Sequence, residues 1–311
     1  MGAPKGRALI AGAVAIVVLA TGYPRAHPQA PPLATTPDQR PHFKSAVRLT
    51  TVTVTVTDAD GRLVTDLPRD QFEVFEDGLL QDITQFTRER VPVSLGILVD
   101  ASDSMYGRRI QEAREAIGHF VADLLAPDDE FSLVTFNHRQ QVLTEWTNDR
   151  TAPPRLLGPV RPWGSTAIYD AIMASLPLAE SRHRQRAALL VLSDGADTAS
   201  DTQLRDLRTA LRRSDLFIYA IGIDSAGRRP INAAVNPMTL AQITDQSGGR
   251  TRIVHDTSEV SDALEQIATE LNSQYLIGFG STRPPDGRFH SIRVHVKGGA
   301  YKVRARNGYV G

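Results

Sequence analysis

The chain has 311 residues, room for about two domains, and an apolar share of 41%, enough for a sizeable core. Its 35 basic and 35 acidic residues cancel, which argues against broad nucleic-acid binding, since that needs concentrated positive charge. There is no cysteine, so a disulfide framework, a thiolate metal site and a lipoprotein cysteine are excluded.

Lys5 and Arg7 precede an uncharged apolar stretch, Ala8–Ala20. That stretch is shorter than the roughly 20 residues of a full membrane span and predicts a signal peptide over residues 1–26. Cleavage fits after Ala20, Ala26 or Ala30, and an uncleaved anchor is the alternative. Either way the rest of the chain is expected outside the cytoplasm, in the periplasm, in the cell envelope or secreted. Tyr23–Phe43 is rich in Pro, Ala, Gln and Thr without apolar periodicity, and predicts an extended linker over residues 27–44.

A β segment is expected over residues 45–90. Val52, Val54 and Val56 alternate with Thr51, Thr53, Thr55 and Thr57, a strand signature. Asp58-Ala59-Asp60-Gly61 reads as a hairpin turn; the remaining ligands of a Ca²⁺ loop are missing. A second turn, Glu76-Asp77-Gly78, separates Phe72–Phe75 from Ile83–Phe86.

From Pro92 the pattern changes to strands alternating with helices over residues 91–273. Val93–Val99, Phe131–Phe136, Ala187–Leu192 and Leu216–Ile223 are apolar runs of strand length, with Gln141–Trp146 as an edge strand and Arg250–Val254 as a short one. Ile110, Ala113, Ile117, Phe120, Val121 and Leu124 make a helical stripe, followed by helices over Ala167–Leu178, Thr202–Arg213 and Met238–Gln246. Asp256 and Glu259 have the spacing of a capping box for the helix carrying Val260, Leu264, Ile267 and Leu271. The alternation predicts an α/β fold: a doubly wound, mostly parallel sheet with helices on both faces. Residues 274–311 return to short strands, Tyr275–Phe279, Ser291–Val296 and Tyr301–Ala305. They are expected to join the N-terminal segment in a small accessory sheet or to extend the main one.

The chemistry gathers at strand ends. Asp100-Ala101-Ser102-Asp103-Ser104 follows Val93–Val99 and offers two hydroxyls and a carboxylate, oxygen ligands that suit a hard cation such as Mg²⁺. Thr166 lies in Gly164-Ser165-Thr166-Ala167 on a loop that opens a helix, and Asp194 ends the strand Ala187–Leu192. In an open parallel sheet all three segments fall on the ligand-binding edge. Asp103 and Asp197 are expected to be solvated. No P-loop lysine, H-E-x-x-H, G-x-S-x-G or S-x-x-K occurs, and His138 and His255 are isolated.

In order and context these residues resemble a von Willebrand factor type A domain and its metal-ion-dependent adhesion site. The segments Val64–Leu67, Asp70–Gly78, Gln274–Phe279 and Arg304–Tyr309 extend the likeness to a bacterial exported "VWFA-related domain" group. The resemblance implies Mg²⁺ or Mn²⁺ held by Asp100, Ser102, Ser104, Thr166 and Asp194. It further implies a non-enzymatic adhesion or scaffold role, with an Asp or Glu of a partner protein completing the ion's shell. Ser165 replaces a common second glycine, a mild departure. A structural subunit whose metal braces the loop is the alternative. A metal-dependent hydrolase is disfavoured, because Lys5, Lys44, Lys297 and Lys302 are the only lysines and none follows a central strand.

N-terminal sequencing of the native protein is expected to find a first residue between Thr21 and Pro31. A cytosolic product that retains Met1 contradicts the export reading.

Overall fold

The computed structural model describes Gly2 and residues 48–193, 197–223, 237–255, 258–281, 283 and 285–311. The leader, the linker and Asp256 of the expected capping box lie outside the described residues. The first half of the chain forms β1 (Arg48–Thr57), β2 (Phe72–Glu76), β3 (Leu79–Gln81), β4 (Ile83–Thr87), β5 (Val93–Asp100), α1 (Arg108–His119), β6 (Glu130–Phe136) and β7 (Gln140–Thr147). Then come α2 (Ala152–Leu157), α3 (Ile168–Glu180), β8 (Arg186–Ser193), α4 (Leu204–Leu211), β9 (Phe217–Ile223), α5 (Pro237–Ser247), β10 (Arg250–Val254) and α6 (Ser258–Asn272). The chain closes with β11 (Tyr275–Ser281), β12 (Phe289–Val296), β13 (Lys302–Ala305) and β14 (Gly308–Val310).

The central sheet has the order β10-β9-β8-β5-β6-β7 and is parallel except at the β7 edge. Every residue of β5, β6, β8 and β9 is buried, which is why these strands read as continuous apolar runs rather than alternating ones. Leu95, Ile97 and Val99 pack against Ile117 of α1 and Leu264 and Ile267 of α6. On the opposite face Leu98 joins Ile172 of α3, Leu207 of α4 and Ile243 of α5. Each such buried Leu or Ile contributes roughly 1.5–3 kcal/mol. Gly96 sits mid-strand because a Cβ there would come within 2.5 Å of the Leu189 side chain on β8.

Two local expectations change. The first helical stripe does not run unbroken to Leu124: α1 ends at His119 and one π-helical turn covers Phe120–Leu124, closed by Leu125 N–H donating to the Phe120 carbonyl at 2.9 Å. That turn keeps Phe120 and Val121 buried. Helix α2 was not anticipated, because Pro153 and Pro154 argue against a helix. They stand in its first turn, where a missing N–H costs nothing. Asp149 accepts from the Thr151 hydroxyl at 2.6 Å, from Arg155 at 2.9 Å and from the Thr151 N–H at 3.0 Å, bonds that lower its carboxyl pKa to about 2.

The terminal strands make two small antiparallel sheets, β13-β1-β11-β4 and β14-β12-β2-β3, rather than one. They share a core of Val52, Val54, Val56, Phe72, Val74, Tyr275, Ile277, Phe279 and Val296. Asp77 and Gly78, at φ 49° and 80°, form the two-residue turn that folds β2 back on β3. The Asp58–Gly61 segment is the expected hairpin turn, with Gly61 N–H donating to the Asp58 carbonyl at 3.1 Å.

A buried polar network fastens the sandwich to the α/β layer. Gln274, just before β11, donates to Thr55 of β1 and to the Tyr219 hydroxyl of β9, both at 3.1 Å. Tyr219 in turn donates to Glu270 of α6 at 2.8 Å, and Arg304 of β13 pairs with the other oxygen of Glu270. Arg186, at the start of β8, donates to Gln274 and to the Val91 carbonyl at 2.7 Å. Burial, and then the nearby Glu270 carboxylate, push the Tyr219 phenol well above its ordinary pKa, so it stays a neutral donor.

Removing Glu270 leaves Arg304 and the Tyr219 hydroxyl without their anion in a buried setting. Glu270→Ala is expected to destabilise by about 3–5 kcal/mol, against about 1 kcal/mol for Thr55→Val. Urea unfolding checks both; equal costs would mean that Glu270 is not the hub.

Candidate metal site at the carboxyl end of the sheet

β5 lies between β6 and β8, and the chain leaves it for β6 on one side and reaches β8 on the other. The crevice of an open α/β sheet opens at such a switch point, beyond the carboxyl ends of the strands. β5 ends there at Asp100 and β8 at Ser193, in a register that pairs Val99 with Leu192.

Asp100 is fully buried, and its carboxylate is oriented by neighbours. Oδ2 accepts from the Ser193 hydroxyl at 2.5 Å and Oδ1 from the Ser102 N–H at 2.8 Å. Such bonds are what make a buried carboxylate tolerable. Ser102, also buried, caps one 3₁₀ turn, Asp103–Met105, and Met105 anchors that turn in the core. The turn sets the Ser102 and Ser104 hydroxyl oxygens 3.0 Å apart. Arg109 of α1 donates to the Ser104 carbonyl at 2.7 Å.

The Thr166 loop is stitched to this segment by backbone. Trp163 N–H donates to the Ala101 carbonyl and Asp103 N–H to the Gly164 carbonyl, each at 2.9 Å. Asn137, just past β6, donates its side-chain amide to the Trp163 carbonyl at 3.0 Å and accepts from Ala167 N–H at 2.8 Å. Thr166 is therefore held beside the first loop and is 5% exposed. A third loop closes over it: Thr198 and Ala199 N–H groups donate to the Thr166 carbonyl at 2.8 and 3.0 Å.

The loops that carry Asp100, Ser102 and Ser104 and that carry Thr166 thus lie side by side at the carboxyl edge, and Asp194 lies outside the described residues. Among the described residues no group of three His, Asp or Glu side chains is placed to hold a cation, so hydroxyls dominate the described donor set. Asp103 is exposed, as expected, but Asp197 is not simply solvated. It accepts from Tyr169 N–H at 3.3 Å and from the Ser200 hydroxyl at 2.6 Å, and Ser200 accepts from Asp170 N–H at 3.1 Å. The third loop so satisfies first-turn amides of α3, whose own N-cap, Ala167, has no side chain to do it. Burial alone would raise the Asp170 carboxyl; the Thr202 hydroxyl and the Asp201 and Thr202 amides outweigh it and hold the pKa low.

Ser193 and Asn137 were missed as positioning residues. Ser193 was legible from its place at the end of the strand beside β5, whereas nothing local marks Asn137. Gly164 is required twice over: its φ is +78°, and a Cβ would lie 2.6 Å from His138 Nδ1. Gly164→Ala is expected to cost about 1–3 kcal/mol, read as a lower thermal midpoint; an unchanged midpoint would show that the loop adapts freely.

A family model for the von Willebrand factor type A domain matches residues 95–270. Inter-alpha-trypsin inhibitor heavy chain H4 of Homo sapiens is 24% identical over 241 residues, covering 70% of this chain and 24% of that one. The heavy chain 4 of Mus musculus is 23% identical over 248 residues, covering 72% and 25%. The chain spans about a quarter of the length of these relatives. Among solved structures, a von Willebrand factor type A protein from Catenulispora acidiphila superposes with a TM-score of 0.51 at 14% identity, covering 86% of this chain and 75% of that one. Proximal thread matrix protein 1 from the mussel byssus, with a zinc-occupied MIDAS motif, gives 0.51 at 17% identity, covering 68% and 50%.

Proposed function

This chain belongs to the von Willebrand factor type A domain family, and on that footing we propose that it is an exported, non-enzymatic, metal-dependent protein-binding module. Asp100, Ser102, Ser104, Thr166 and Asp194 hold one Mg²⁺ or Mn²⁺ at the switch-point crevice. When bound, the ion supplies a Lewis-acidic centre for an Asp or Glu carboxylate of a partner protein. Neutral hydroxyls donate weakly, so the ion keeps a demand for an outside anion that an all-carboxylate cage would quench.

The observation that carries this reading is the pair of Ser102 and Ser104 hydroxyls, hydrogen-bonded to each other at 3.0 Å on the loop that follows the buried Asp100. The buried Asp100 lends its charge from the same loop, either directly or through the bonds that fix Ser102. Asp194 enters on sequence pattern alone. Export rests on the Lys5/Arg7 leader, and the mussel protein's zinc-occupied motif supports a divalent ion in this fold.

Asp100→Ala would strip a buried acceptor from Ser193 and Ser102, so Asp100→Asn, of the same shape, is the cleaner variant. Titration calorimetry with Mg²⁺ and Mn²⁺ is expected to show binding to the wild type. Loss in Asp100→Asn and weakening by about tenfold or more in Thr166→Ala are expected, the scale that even outer-shell losses reach. Pull-downs from an envelope extract are expected to retain partners in Mg²⁺ and release them in EDTA. Equal metal binding by wild type and Asp100→Asn would refute the site, and partner contacts that survive EDTA would reduce the metal to a brace.

A further inference from the structure

The Arg304–Tyr309 segment takes no part in the crevice, and at its centre stands the dipeptide Asn307-Gly308. No other asparagine of the chain precedes a glycine; the rest precede His138, Asp149, Ala233, Pro237 and Ser273. An asparagine side chain is open to attack by the backbone nitrogen of the next residue. A side chain on that residue hinders the approach, and glycine has none.

Both reacting groups are accessible. Asn307 is exposed, and its side-chain amide makes no hydrogen bond among the described residues. Asn272, by contrast, is held through Oδ1 by Arg90 Nε at 2.8 Å. Asn137 is held at both ends, donating to the Trp163 carbonyl at 3.0 Å and accepting from Arg139 N–H at 2.9 Å. The Asn307 carbonyl accepts from Ile292 N–H of β12 at 2.8 Å. A trans peptide sets the following N–H on the opposite side. The Gly308 N–H therefore points away from β12, which among the described residues is the one strand that pairs with β14. Ring closure turns the Asn307–Gly308 peptide and breaks the Ile292 bond, a single bond at the start of a three-residue edge strand.

The fold also keeps the glycine. A Cβ at position 308 would lie 2.2 Å from the His290 carbonyl oxygen and 2.4 Å from the Phe289 ring. The reactive pair is thus built into the way β14 lies on β12.

We propose that Asn307 is a site of spontaneous modification in the folded protein. The Gly308 nitrogen bonds to Asn307 Cγ, the Cγ–Nδ2 bond breaks, and the Gly308 proton leaves with Nδ2 as ammonia. Water then opens the succinimide ring at either carbonyl, giving aspartate or isoaspartate. Isoaspartate routes the main chain through the former side chain and lengthens it by one methylene. The insertion falls between β13, paired with β1, and β14, paired with β12. That link is pinned by Asn307 N–H to the Gln246 carbonyl at 3.3 Å and by Arg306 to the Thr51 carbonyl at 2.9 Å. A longer link loses register at one end or the other, so isoaspartate loosens β14 and leaves the carboxyl edge of the central sheet untouched.

The full chain is incubated in heavy-oxygen water at mildly alkaline pH, native and in urea, and every asparagine peptide is followed by mass spectrometry. Native Asn307 is expected to take up label faster than any other asparagine. Its native rate is expected to fall within about tenfold of its rate in urea, the scale of one hydrogen bond added to the barrier. Asn307→Gln, whose longer side chain closes the ring poorly, is expected to stay unlabelled there and to keep the wild-type thermal midpoint. The isoaspartate form, separated by ion exchange, is expected to melt below the wild type. Asn307→Asp, with the same charge on an unaltered backbone, is expected to melt close to the wild type. Labelling confined to the unfolded chain, or no faster at Asn307 than at the other asparagines, overturns the site. An isoaspartate form as stable as the wild type, or an Asn307→Asp variant that melts equally low, overturns the loosening of β14 by the backbone.

Discussion

The candidate site depends on one buried hydrogen bond, from the Ser193 hydroxyl to Asp100 at 2.5 Å. It joins the ends of two adjacent parallel strands where the winding of the sheet reverses, and it fixes the direction of the carboxylate before any ligand arrives. Ser102 reads the other oxygen of the same carboxylate through its backbone. The Ser102–Ser104 turn, and through it the Thr166 loop, inherit their position from the sheet. Strand pairing, a rigid and heavily buried property, is thereby converted into the spacing of a few polar atoms.

The opposite end of the sheet is held with equal care by different chemistry. Arg186 and Ser193 are the first and last residues of β8, so one strand carries an arm of the network at its start and the site lock at its end. Arg186, Gln274, Tyr219 and Glu270 of this network are buried, with Arg304 at its partly exposed edge; in such a setting a satisfied polar chain rigidifies and a broken one is costly. The terminal sandwich is a brace bolted to the base of the α/β layer and leaves the carboxyl edge to the loops.

Much of this was legible in the sequence because the signals were local. Continuous apolar runs marked β5, β6, β8 and β9, the Val/Thr alternation marked β1, and the residues after the runs marked the crevice. What was not legible depended on distant partners. The terminal strands looked like one sheet, but β2 and β4, six residues apart, pair in different sheets, with β12 and β11. Helix α2 was hidden by two prolines whose position in the first turn makes them harmless. Asp197 looked solvated because one of its partners, Tyr169 N–H, lies 28 residues away and meets it only through the fold. Asn137 had no local mark, since its role comes from the Trp163 loop meeting its side chain and Ala167 meeting its main-chain carbonyl.

The pairing of β1 with β11 sets Val54 against Tyr275 and Arg48 against Ser281, so the first strand of the fold waits for one of the last. Contacts of such sequence separation make closure slow and late, because the loop entropy is spent before the pairing repays it. During synthesis β1 exposes Val52, Val54 and Val56 with no strand to receive them. The α/β layer has all its strands by Val254, whereas the sandwich that braces it is complete only when Val310 has emerged. The chain therefore finishes folding from its end backwards, and its most β-prone segment spends the longest time unpaired.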